Sequence, residues 1–500
     1  PAIDDGFIPV SRLSEDFEFE ITIEPRDSLA NGFQSAPFGY QYSTDSLSVF
    51  CFRGNAMRNQ PSRGTIAGRP TGVREIWHFR TAYDTVQTKY GKWGGGAGWT
   101  GQPSLVQWSA EEKIKLGIED PEFLGDDSAM EVIIGSLCGN IYFIDAARGI
   151  ETREHLSIGN PIKGSISVDP RKNGLLYVGQ GIPKTSRMGA YVFDMFDREE
   201  HFHINGFDRL APREWGAFDS NPVINSATGQ VIWPAENGLI YTFAMDSLHQ
   251  IHGLKRLRYS VDGMSHYGIE SSPAIIGSYG FVADNEGNVL CFDIATMKPV
   301  WNVSNEDDTD ATIAIDEETP GNYFLYTGNE VDLLGPEGTA YLRKRDATTG
   351  EEIWRYGMRC FGSPIREKPN SGGILASPVI GKHQGNDLVY CIFSRTDEHR
   401  KGALVAIHKS SGEEIFVVPM DRYSWASPVD FYDDQGNIYL FLTDVGGRFY
   451  LLDGLTGEIL FKKEFERVME ASPVIIGNRI YLATRGRSIF CYEIETGTPD

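Results

Sequence analysis

Short apolar runs recur in threes along this chain, separated by glycine-bearing turns, and a fourth run carrying an aromatic residue often follows. The best-formed copy reads Glu470-Ala471-Ser472-Pro473-Val474-Ile475-Ile476, then Arg479-Ile480-Tyr481-Leu482-Ala483, then Ser488-Ile489-Phe490-Cys491-Tyr492, then a Thr-Gly turn. Runs of this length between turn residues are strands, and four in succession make one antiparallel blade. Aligning first strands on their Ser-Pro-Val core places eight starts, near Thr100, Lys163, Asp219, Glu270, Asp310, Leu375, Trp425 and Glu470. Their mean spacing is about 53 residues, a period that belongs to repeat architectures. The predicted fold is all-β, an eight-bladed β-propeller of four-stranded antiparallel blades.

The last repeat opens a turn at Thr496-Gly497 without the strand that should follow. That strand stands near the other end, as Thr71-Gly72-Val73-Arg74-Glu75-Ile76-Trp77, and an intact internal copy reads Asp346-Ala347-Thr348-Thr349-Gly350-Glu351-Glu352-Ile353-Trp354. An N-terminal strand near residues 74 to 82 is therefore expected to complete the C-terminal blade, closing the ring and removing two sheet edges. The domain reading is an N-terminal arm, 1–45, and a propeller, 46–500. Within the arm, Phe17 to Ile23 alternates acidic and apolar residues, the pattern of a strand laid on the ring or on a partner. The early repeats depart from the pattern: Asp145-Ala146-Ala147-Arg148-Gly149 lacks the following aromatic, and Asp194 to His203 lacks any glycine.

Composition removes several classes of function. The 500 residues carry a formal net charge of −23, scattered rather than gathered in a tail, which disfavours nucleic acid and anionic lipid as partners. No apolar run is long enough to span a bilayer as a helix. The expected compartment is extracytoplasmic, periplasmic or secreted, with a signal peptide already removed. The six cysteines form no CxxC, CxxCH or adjacent pair, so they are expected to be free core thiols.

In a propeller, first strands begin at the funnel mouth, on the side that also carries the second-to-third-strand loops. The residues two before each Ser-Pro serine, or its equivalent, thus form a ring: Thr100, Lys163, Asp219, Glu270, Asp310, Leu375, Trp425 and Glu470. Four carboxylates around one funnel repel one another, and a cation relieves that repulsion. Asp219, Asn221, Glu270 and Asp310 are the candidate donors for Ca²⁺, which takes six to eight oxygens. Trp99, Trp215 and Trp425 are expected near the same mouth, as flat platforms for a sugar ring, a quinone or an aromatic anchor. Enlarged loops at Gly179 to Met188, Asn329 to Gly338 and Ser394 to Lys401 fall on this face, the last bringing Arg395, His399 and Arg400. The glycine-rich run Trp93 to Trp99 is no phosphate loop, since no Lys-Ser/Thr follows it. No HExxH, nucleophile elbow or Ser-His-Asp order is present. The run Asn305 to Asp310 lacks the glycine and terminal glutamate of an EF-hand and reads as an acidic loop between blades.

The Ser-Pro-Val openings, the Asp-x-x-Thr-Gly-x-x-x-Trp turns and the end-to-end closure resemble the pyrroloquinoline quinone (PQQ)-like propeller repeat family over about residues 46 to 500. The resemblance implies three functional expectations. The first is a non-catalytic propeller binding a small molecule, carbohydrate among the candidates, or an envelope protein through its funnel face. The second is a Ca²⁺/PQQ-dependent quinoprotein alcohol or sugar dehydrogenase, with Asp310 or Asp219 as base, Glu270 on the ion and Trp425 under the quinone. The third is a cell-envelope assembly scaffold. The quinoprotein pattern includes two adjacent cysteines, which this chain lacks, so the reading is the binder, with no resident cofactor expected, Ca²⁺ as the candidate ion and PQQ disfavoured.

Overall fold

Each repeat folds as a small antiparallel meander, and eight of them stand in a ring. The structure is a computed structural model describing residues 6–24, 35–39, 47–98, 101–184, 187–362, 371–398, 400–465 and 467–497. Blades 1 to 7 occupy residues 104–157, 167–205, 223–261, 274–304, 314–361, 379–420 and 429–464. Blade 8 takes its three inner strands from residues 474–496 and its outer strand from Pro70–Arg80. In that closure Trp77 stands opposite Cys491 and His78 opposite Phe490.

The aromatic residue of the repeat seals one blade to the next. Trp77, Trp301 and Trp354 donate their indole N–H to Ala146 O at 3.0 Å, Ala347 O at 3.2 Å and Lys409 O at 2.8 Å, each carbonyl belonging to the turn of the following blade. The glycine of that turn lies under the ring. A Cβ on Gly149, Gly350 or Gly412 would fall 2.5 to 2.8 Å from indole atoms, and these glycines hold φ of +71° to +75°. Backbone conformation and close approach thus demand the same residue.

The joint between blades 1 and 2 is built differently. Arg153 replaces the tryptophan, donating to Met195 O at 3.3 Å and pairing with the buried Glu131 at 2.8 Å. With no indole overhead, the turn of blade 2 carries Arg198 at φ +62°, where blades 1, 5, 6 and 7 carry glycine and blade 4 carries Met297 at φ +64°. The two departures visible in the early repeats are therefore one substitution seen from both sides.

Two segments outside the repeats complete the ring. The strand Phe17–Ile23 pairs antiparallel with Ile251–Val261, adding a fifth strand to the outside of blade 3, and Phe17 stacks on Tyr259 at 5.5 Å. Residues 49–66 run along the axis and touch first strands in order: Val49 bonds Leu105, Phe50 Val168, Ala56 Ile275, Met57 Ile315 and Ile66 Tyr432. Ser62–Arg63 pairs in parallel with Val474–Ile476 of blade 8. Arg53 reaches Pro428 O at 2.5 Å and Pro378 O at 3.1 Å, and Arg58 reaches Pro273 O at 2.8 Å and Asn221 O at 2.7 Å. Edge carbonyls of the inner strands, costly if left unsatisfied, are met by these guanidiniums. The segment plugs the channel beneath the funnel.

Cys291 and Cys491 occupy the same place in two blades, opposite Trp301 and Trp77, as buried free thiols. Cys138 is only partly buried. Among the described residues no helix is long and apolar enough to cross a membrane.

Candidate functional site

Each residue of the sequence-derived ring lies four positions ahead of a first strand. The strands begin at Ser104, Ser167, Val223, Ala274, Ala314, Val379, Val429 and Val474. Thr100 and Trp99 lie outside the described residues, as does His399. The other ring positions split into two unlike halves.

In blades 2 to 5 the funnel floor is acidic. Lys163, from blade 2, makes a short ion pair with Asp219 Oδ2 of blade 3 and stands 3.9 Å from Glu236 Oε1. Carboxylate oxygens of Asp219, Glu236 and Glu270 all lie within 4.8 Å of one another. Asp308, Asp310 and Glu330 extend the group through blade 5. Burial alone would lower the Lys163 ammonium's pKa, but Asp219, Glu236 and Glu270 raise it overall. Burial, then neighbouring carboxylates, push Glu236, Asp308, Asp310 and Glu330 well above the usual carboxylate range.

These acids are poorly satisfied. Asp219 Oδ1, Glu236 Oε1, Asp308 Oδ1 and Asp310 Oδ1 are buried without a hydrogen-bond donor. Glu236 faces Asp219, and Asp310 faces Glu330, the latter two both raised and placed to share a proton. Buried polar atoms are rarely left this way, and several together mark a place where a ligand completes the bonding.

Aromatic residues border the acids. Trp215 donates to Glu236 Oε2 at 2.7 Å and meets Tyr90 edge-on at 4.9 Å. Tyr90 belongs to a hairpin, Asp84–Thr88 and Gly91–Gly94, that reaches over the funnel and is tied down by the Lys184–Asp84 ion pair. A cleft of about 610 Å³ opens there, lined by Tyr90, Phe207, Arg209 and Glu214 among others.

In the half formed by blades 6 to 8 a single ring position is acidic and arginines surround it. Leu375 is buried, Trp425 is half-buried beside Tyr423, Glu470 is paired with Arg485 at 3.3 Å, and Arg395 and Arg400 stand by Tyr423. Asn221, a candidate metal donor, is turned to the axial plug instead: its Oδ1 accepts from Phe52 N at 2.9 Å and Arg58 at 3.0 Å. Asp219, Glu270 and Asp310 share the acidic half with Lys163.

Glu236, Asp308 and Glu330 were not singled out by the repeat alignment. Glu330 lies in the enlarged loop after Asn329, and Asp308 lies in the acidic run that reads as a mere interblade loop. Glu236 sits in a short second-to-third-strand turn, where loop length gave no signal.

An eight-bladed β-propeller with a plugged channel and an acid-floored funnel is the class that fold and site define. Residues 338–500 match the family model of the outer membrane protein assembly factor BamB. Among solved structures, the chain is similar to BamB from Moraxella catarrhalis, at 14% identity and TM-score 0.52, covering 84% of this chain and 99% of that one. It is also similar to the quinohemoprotein alcohol dehydrogenase ADHIIG from Pseudomonas putida HK5, at 11% identity and TM-score 0.59, covering 92% and 83%. The computationally designed Ika8 protein gives 11% identity and TM-score 0.51, covering 85% and 100%. Sequence comparison with curated proteins finds no match. The family match covers residues 338–500 alone, and the likenesses to solved structures show the β-propeller fold; identities this low carry the fold and no activity.

Proposed function

We propose that this protein is a non-catalytic binding propeller whose acidic half-funnel takes a positively charged ligand. One observation carries the reading: six carboxylates converge on a floor where Lys163 is the cation paired with them, and four of their buried oxygens lack a donor. A divalent ion such as Ca²⁺ would draw its oxygens from Asp219, Glu236 and Glu270. An ammonium or guanidinium group would use the same acceptors and could rest on Trp215 and Tyr90. Either cation lets the raised carboxyls ionise, so binding should release protons.

PQQ fits this floor poorly. It is a tricarboxylate, and its charges would meet acids of the same sign. The BamB likeness supports a protein as the bearer of the positive group, and with it an extracytoplasmic location and a role as an envelope scaffold. Thermal melts with Ca²⁺, with lysine- and arginine-containing peptides and with PQQ plus Ca²⁺ test the reading. A cation should raise Tm in proportion to the logarithm of its concentration above Kd. Quinone absorbance retained by the protein, with dye reduction by an alcohol, would replace the binder with a dehydrogenase.

A further inference from the structure

A second, unrelated cluster sits on the face opposite the funnel, where third strands turn into fourth strands. We propose that Asp194, His201 and His249 form a binding site for a late first-row divalent metal, Zn²⁺ foremost, bridging blades 2 and 3. One ligand atom from each of the three lies within 4.8 Å of the other two. Asp194 Oδ2 stands 3.0 Å from His249 Nδ1, and the imidazoles of His201 and His249 meet edge-on at 5.2 Å. Two imidazoles and a carboxylate, with a position left for water, are a donor set suited to Zn²⁺. Tetrahedral Zn²⁺ with bonds of about 2.1 Å sets its ligand atoms about 3.4 Å apart. The Asp194–His249 pair is already within that spacing, and a ligand atom of His201 stands within 4.8 Å of both.

The backbone prepares all three residues. Asp194 opens the turn of blade 2, and its Oδ1 accepts from Phe196 N at 2.7 Å, which leaves Oδ2 to point across the joint. His201 is the extra residue of a β-bulge, between Glu200 opposite Phe193 and Phe202 opposite Val192. A bulge re-aims one side chain. The same bulge recurs with Val300, Ile353, Ile415 and Leu460 at that position, so blade architecture calls for an aliphatic residue there and blade 2 departs from it. His249 holds φ +58° in the turn of blade 3, a conformation that bulky residues seldom adopt. Behind His201, Asp197 Oδ2 lies 3.0 Å from Nε2 and holds the ring, as carboxylates do for metal-bound imidazoles.

The test is a Zn²⁺ titration of tag-free protein against a chromophoric chelator. Two variants are compared: His201→Ile, which restores the residue type of the other blades, and His249→Asn, which tolerates the positive φ. Wild type should take up one equivalent that both variants lose or bind at least about tenfold more weakly, with unchanged circular dichroism. Glu270→Gln, in the funnel, should keep it. Co²⁺ should give visible bands that disappear in the same two variants. An equivalent unaffected by either histidine change, one lost in Glu270→Gln instead, or no uptake at all would overturn the proposal.

Discussion

The two halves of the funnel hold the same backbone position to different ends. Four residues ahead of their first strands, blades 3, 4 and 5 place Asp219, Glu270 and Asp310, whereas blades 6 and 7 place Leu375 and Trp425. The acids are therefore not what the blade requires at that point. Their burial costs stability, since desolvation and mutual repulsion both oppose their ionisation. Cost without structural need is the signature of a site.

The largest effect that sharpens this contrast should come from Lys163→Met. Removing the one ammonium paired with Asp219 leaves buried charge uncompensated, a loss of about 3–5 kcal/mol in chemical denaturation. An unchanged denaturation midpoint would mean that the acidic half is already neutral.

pH should move the two halves apart next. Glu236, Asp308, Asp310 and Glu330 have folded-state pKa values raised by burial and neighbouring carboxylates, and burial lifts Asp284 to about 6. Groups raised on folding stabilise fully below their unfolded pKa and lose that contribution as pH rises through the folded value. Cation-free protein should therefore lose stability as pH climbs from the ordinary carboxylate range through 6 and beyond. Saturating cation should flatten the curve. Glu270→Gln and Asp310→Asn should each flatten part of it and leave Tm equal to or above wild type at pH 8.

The smallest effect belongs to the half formed by blades 6 to 8. Glu470→Gln breaks a partly exposed pair with Arg485 and should cost no more than about 1 kcal/mol, with cation binding unaffected. A comparable loss from Glu270→Gln would erase the distinction between the halves.

Much of this ring is legible in the chain because each blade states its own grammar. Ser-Pro-Val marks the first strand, and Thr-Gly with a following tryptophan marks the turn and joint, since indole and glycine are locked to each other by sterics. Closure could be read from Thr71 to Trp77 for the same reason. Where Arg153 stands in for tryptophan, the glycine also goes, and the pattern fades though the blade remains. The axial plug left no such signal: residues 49–66 match no repeat, and their role rests on hydrogen bonds to strands distant along the chain, from Leu105 to Tyr432. The funnel acids were half visible. Asp219, Glu270 and Asp310 sit at an indexed position of the repeat, whereas Glu236, Asp308 and Glu330 arrive from turns whose aim only tertiary structure fixes. Asn221 shares a strand approach with Asp219, yet two residues further along the chain it meets the plug.

Calorimetric titration of wild type and of the Glu270→Gln, Asp310→Asn double variant, with Ca²⁺ and separately with a lysine-rich peptide, tests the central claim most directly. The account predicts saturable binding of at least one of these cations to wild type, accompanied by proton release, and at least about tenfold weaker binding to the double variant. Equal affinity in both proteins, or no binding of either cation to wild type, would contradict it.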